Sequence, residues 1–205
     1  MTEDVLEQIV DEVLRHKGYF TRTNVRYGPR SGDDGFVALQ HNQRSDVDVL
    51  AVDLQQGRQN PDQPAVYVVS CKAMQNGFSP QRWLQAAEGG KTYRGKHQQN
   101  SWKHLRELWD PVWAESLRSR VQQLTGSGSF TYVLAVTRLD PGGSSDIDDF
   151  KRHPRIAENL ASNEMKVWTL ADLWTSLVEE VGEEIEASTI GRLAQMLKAA
   201  GVARP

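Results

Sequence analysis

Asp46, Asp48, Ser70 and Lys72 are the residues whose types and spacing could do chemistry. Asp46 and Asp48 lie in SDVDVLAVD, and Ser70 and Lys72 close AVYVVSCK. Gly, Asn and Pro sit between these runs in QQGRQNPDQP. Apolar, β-branched runs joined by turn formers read as two consecutive strands and a loop. Side chains two apart on a strand share a face, so Asp46 pairs with Asp48 and Ser70 with Lys72. Two carboxylates opposite an ammonium group are costly beside an apolar core. A divalent metal acting on phosphate is a chemistry that uses such a set.

This stretch resembles the core of the PD-(D/E)xK nuclease superfamily, the restriction-endonuclease-like fold. Asp48 stands where the family's strand Asp falls, with two apolar residues after it. Ser70-Cys71-Lys72 stands where Glu-x-Lys falls, so a serine occupies the acidic position. The resemblance implies a Mg2+-dependent endonuclease acting on DNA, with Mn2+ as a substitute ion. Asp48 would hold the metal, the Cys71 carbonyl would help, and Lys72 would orient or deprotonate the attacking water. Ser70 belongs to the same catalytic set. Asp46 either assists or caps the strand edge. The alternative is a catalytically inactive module of this fold that binds nucleic acid or a protein partner.

The missing acid falls to Glu88, to a first-helix Glu or to Asp46 alone, or has no functional replacement. In one group of restriction endonucleases of this superfamily the second strand ends in Ser-x-Lys, and the glutamate has moved to the following helix. Glu88 is the carboxylate at comparable distance, sixteen residues past Lys72. That is about two residues beyond the group's spacing, which turns a helical side chain by about 200°. Many relatives instead carry a Glu on the first helix that reaches the metal. Glu7 and Glu12 are the residues placed to do so.

The elements that must position these groups follow from periodicity. Residues 3–17 read as the first helix, with Val5, Leu6, Ile9, Val10, Val13 and Leu14 as its apolar stripe, Thr2 as cap and Gly18 as stop. Glu7 and Glu12 lie off that stripe. YFTRTNVRY (19–27) alternates as a strand. GPRSGDDG is a loop, either a DNA-contacting one or a plain connection, and Phe36–Leu39 reads as a short strand. A helical region spans about 80–124, broken near Glu88-Gly89-Gly90 and at Pro111. FTYVLAVT (130–137) is a buried strand, 146–161 a helix, MKVWT (165–169) a last strand, and 171–181 and 185–199 the closing helices. The order α-β-β-β-α-β-α-β-α predicts an α/β protein with a mixed central sheet flanked by helices, restriction-endonuclease-like in arrangement.

At 205 residues one domain covering 1–205 is expected. The hydrophobic share of 39% and charged share of 25% are those of an ordinary soluble protein, and no apolar run reaches membrane-span length. The lone cysteine, Cys71, excludes an intramolecular disulfide framework and fits a reducing cytoplasm. It reads as a buried thiol. The five histidines show no zinc-ligand spacing, and GGKTYRGK lacks the spacing of a phosphate-binding P-loop.

Net charge is −3, so no global basic footprint marks a nucleic-acid coat protein. Its distribution is uneven. Residues 82–120 hold eight Lys or Arg against four acids, and 140–186 hold twelve acids against four bases. Either the basic middle seeks phosphate or it is a solvated helix face. Lys91, Arg94, Lys96 and Lys103 are its candidates for holding a DNA backbone. A homodimer would suit double-strand cutting.

Overall fold

The computed structural model describes residues 4–54, 65–89, 101–141, 143–182 and 187–202. Five strands form one mixed sheet in chain order: β1 (Phe20–Tyr27), β2 (Ser45–Val52), β3 (Val66–Lys72), β4 (Thr131–Val136) and β5 (Glu164–Thr169). β1 and β2 pair antiparallel, as do β2 and β3, whereas β3–β4 and β4–β5 are parallel. The parallel pairs require crossovers, which the helices supply. β4, flanked on both sides by parallel neighbours, is buried along its whole length, as its unbroken apolar run demands.

Helices cover both faces. α1 (Val5–His16), α7 (Leu170–Glu180) and α8 (Thr189–Ala199) pack around one core with Val49, Ala51, Val69, Cys71, Val133 and Ala135. On the other face lie α3 (Pro80–Ala87), a 3-10 helix (Ser101–Leu108), α4 (Pro111–Thr125), α5 (Gly143–Arg152) and α6 (Pro154–Leu160). They cover Leu50, Val66, Val68, Tyr132, Leu134 and Val136.

α1 starts because Asp4, its N-cap, accepts from the Leu6 amide at 2.9 Å. The expected cap Thr2 lies outside the described residues. The stripe Leu6, Ile9, Val10, Val13 and Leu14 is buried as predicted, while Val5 is exposed. Burial of each such side chain stabilises the fold by about 1.5–3 kcal/mol. Glu12, placed off the stripe by the sequence, is buried and meets His16 at 3.3 Å.

Two local expectations change. Phe36–Leu39 is no strand; a short helix, α2, spans Ala38–His41. His41 is the reason. Its Nδ1 accepts from the Val37 amide at 2.8 Å, so Nε2 carries the hydrogen and donates to Asp110 at 3.1 Å. Asp110 also caps α4 through its other oxygen, so one carboxylate ties the 28–44 connection to that helix. The helix read over 146–161 is two, α5 and α6, broken where His153 precedes Pro154. The long helical region breaks where the sequence reading put its breaks, α3 ending before Glu88 and α4 starting at Pro111, with a 3-10 helix between them in which Leu105 is non-helical.

Candidate functional site where two strands part

The β2–β3 ladder ends at Val49 and Val69. The next residues of that register, Asp48 and Ser70, stand opposite each other without ladder pairing. On the far side, the β1–β2 ladder skips Asn24, the residue in register with Asp48, whose φ is +53°. Val47 and Val49, two apart, pack in different cores. The alternation of β2 therefore breaks at Asp48, and Asp46 does not share its setting: Asp46 is exposed and Asp48 is buried.

The parted strands leave backbone groups that the Asp48 side chain takes up. The Cys71 amide donates to Asp48 Oδ2 at 2.5 Å. Ser70 Oγ and Lys72 Nζ each approach the same oxygen at 3.4 Å, and Lys72 Nζ also donates to the Cys71 carbonyl at 3.0 Å. All three donors converge on Oδ2, so Oδ1 has none of them. Burial raises the Asp48 pKa above the ordinary aspartate value. The Lys72 charge and the Cys71 amide oppose that shift, and the Asp46 charge adds a little to it.

Glu7 comes to this site from α1. Its pKa is raised to about 7, first by burial, then by the Asp48 and Asp4 carboxylates, with Lys72 lowering it in part. Burial also raises the Cys71 thiol, with the Asp48 and Glu7 charges adding to it. That leaves a buried thiol without nucleophilic character.

The other acids lie elsewhere. Glu12 pairs with His16 beside Arg15 and Ser188. Glu88 ends α3, is mostly exposed, and meets His153 at 3.4 Å. His153 in turn stacks against Trp109, on the α3–α6 side. Lys91, Arg94 and Lys96 lie outside the described residues, as does the Lys103 side chain. Among the described residues no group of three or more His, Cys, Asp or Glu side chains is close enough to enclose a metal ion.

Sequence reading missed Glu107, counted above only as one charge of the middle segment. It is buried on the 3-10 helix, between Leu105 and the Leu108–Trp109 pair. Tyr27 Oη donates to Glu107 Oε2 at 2.9 Å and Tyr132 Oη to Oε1 at 2.5 Å. Both phenols are held well above their ordinary pKa by burial and by the Glu107 charge. Glu107 thus joins Tyr27 and Tyr132 in one buried polar cluster, and the Ser70 side chain acts on the Tyr132 hydroxyl from the side of Asp48, lowering its pKa in part. The available signal was an acid inside the apolar run LRELW, on a face otherwise committed to the core.

The arrangement offers a partly protonated carboxyl at Glu7, a buried carboxylate at Asp48, a carbonyl at Cys71 and an ammonium at Lys72. Such a set can bind a hard cation, relay a proton or hold a phosphate oxygen. No protein-family model, no curated protein and no solved structure matches the chain.

Proposed function

We propose that this protein is a divalent-metal-dependent nuclease of the PD-(D/E)xK type that hydrolyses DNA phosphodiester bonds. The observation that carries the reading is the meeting of Asp48 and Lys72 at 3.4 Å where β2 and β3 part. The strand order and the mixed pairing of the sheet are compatible with that family and with many other α/β folds.

The donor set suits Mg2+. Asp48 Oδ1, the Cys71 carbonyl and the Glu7 carboxyl are hard oxygens. Mg2+ is held by one or two carboxylates and keeps several waters or phosphate oxygens. The Lys72 ammonium already rests between the Asp48 and Cys71 oxygens, so this spot favours positive charge. When bound, the ion lowers the pKa of water and offsets charge on the phosphate. Asp48 and Glu7 would hold it, with Glu7 in its ionised form. Lys72 positions the attacking water or steadies the phosphate oxygen that gains charge. Ser70 approaches the Asp48 carboxylate through its hydroxyl and helps to orient it.

The test is cleavage of supercoiled plasmid with Mg2+ or Mn2+. The wild type nicks or linearises it, and Asp48→Ala and Lys72→Ala each lose about a hundredfold or more in rate. Full activity in either variant removes that residue from the site. A second reading is a binding module of the same fold that does not cut, and Ser70 in the acidic position favours it. It predicts no cleavage by the wild type with either ion.

A further inference from the structure

We propose that a cleft beside this site, walled by Arg26, Arg30, Arg44 and Arg120, is a phosphate-backbone subsite for nucleic acid. It opens where β1, the 28–44 connection and α4 meet, and its volume is about 480 Å3. Gly28, Arg30 and Asp33 bring to it the GPRSGDDG loop, for which the sequence left a DNA-contacting role open, whereas Arg44 and Arg120 belong to no motif singled out there.

Three observations carry the assignment. The first is unspent charge. Among the described residues none of the four guanidinium groups pairs with a carboxylate, and Arg120 Nε is buried without a hydrogen-bond partner. The two acids of the cleft are engaged elsewhere. Glu115 accepts from Arg118 at 2.6 Å and from Ser119 at 3.1 Å, and Asp33 accepts from the Arg30 amide at 2.7 Å. Guanidinium forks without carboxylates match phosphate oxygens, which they can bind two at a time.

The second is that the cleft is built. A Cβ at Gly28 would lie 2.9 Å from the Gln43 carbonyl and 3.2 Å from Arg44 Cδ, so only glycine lets the two limbs of the connection close on each other. Gln43 is held by Arg106 at 3.3 Å, and Arg106 lies over the Trp113 ring. His41 and Asp110 anchor the same connection to α4.

The third is position. Arg26 stands opposite Asp46 in the β1–β2 register, and Asp46 is two residues from Asp48, about 6.6 Å along the strand. Tyr27 lines the cleft and shares Glu107 with Tyr132, whose hydroxyl the Ser70 side chain influences. Charges spread over three elements suit a ligand with repeated anionic groups, and a strand leaving the cleft along β2 arrives at Asp48 and Lys72. The identity of the polyanion as nucleic acid rests on the nuclease reading of that site; the anion-binding cleft does not.

The experiment is fluorescence anisotropy of a labelled 20-base-pair DNA duplex (length chosen to span cleft and site, about 68 Å) against the full chain in EDTA, over a salt series. The expected result has two parts. Arg44→Gln weakens binding about three- to tenfold, and the triple variant Arg26→Gln/Arg44→Gln/Arg120→Gln lowers the salt slope by about 2–3. Arg44 is exposed, so its variant keeps the test valid if the triple variant does not fold. Wild-type affinity and slope in Arg44→Gln and in the triple variant overturn the subsite. So does equal affinity for inorganic phosphate and for the duplex. Duplex binding that depends on the arginines, without cleavage when Mg2+ or Mn2+ is added, upholds the cleft and fails the nuclease reading.

Discussion

The Cys71 amide donates to Asp48 Oδ2 at 2.5 Å, one step past the point where the β2–β3 ladder ends. A backbone donor that strand pairing would otherwise satisfy is satisfied by the side chain at the centre of the site. Asp48→Asn keeps an acceptor for that amide through its carbonyl oxygen. Its stability should stay within about 1 kcal/mol of wild type by urea denaturation. Calorimetry with Mn2+ and DNA should show the metal heat lost. Retained heat would place the ion away from Asp48.

Glu7 predicts a pH dependence. A carboxyl with a higher pKa in the folded protein than in the unfolded chain keeps its proton longer when folded. Its contribution to stability is therefore greatest below about 4.5 and falls as pH rises through the folded value of about 7. Glu7→Gln removes this decline. Melting temperatures of both proteins, taken from about pH 4 to pH 8, should diverge with rising pH, the variant being the more stable near neutrality. Parallel curves would mean that Glu7 is not crowded by Asp48 and Asp4.

Glu107 is the largest stability prediction. Removing its side chain leaves two buried phenols without their acceptor. Glu107→Ala should cost about 2–4 kcal/mol in urea denaturation. Tyr132→Phe removes one charge-assisted bond and should cost about 1.5 kcal/mol. The double variant should cost less than the sum, because the two residues share one network. Strict additivity would argue against the chain linking Tyr132 to Glu107.

Asn24 carries a left-handed conformation, φ +53°, in the middle of β1 and in register with Asp48. Asn tolerates this region and β-branched residues do not. Asn24→Gly should be neutral or slightly stabilising, whereas Asn24→Val should cost about 1–2 kcal/mol. Because Asn24 is in register with Asp48, Asn24→Val should also perturb Asp48, seen as a changed affinity for Mn2+. Equal stability of the two variants would show that the strand relaxes without strain.

The sequence by itself determined the five strands of the sheet, their order along the chain and the pairing of Asp48 with Lys72, though it also read a strand at Phe36–Leu39 that is not there. These rest on local pattern: β-branched runs such as VYVVSCK and TYVLAV must bury both faces, and turn formers mark their ends. α1, with its amphipathic stripe, was legible for the same reason, and so was a mixed sheet between helices. Tertiary structure alone decided the rest. Strand period predicted a shared face for Asp46 and Asp48, but the break at Asn24 separates them, and no local rule encodes a pairing defect on a neighbouring strand. Choosing among Glu7, Glu12 and Glu88 needed the angle at which α1 crosses the sheet and the contact of Glu88 with His153, 65 residues away. Glu107 meets Tyr27 across 80 residues and Tyr132 across 25. Such contacts form only when the core closes, because a buried carboxylate takes whichever donors the packing brings to it.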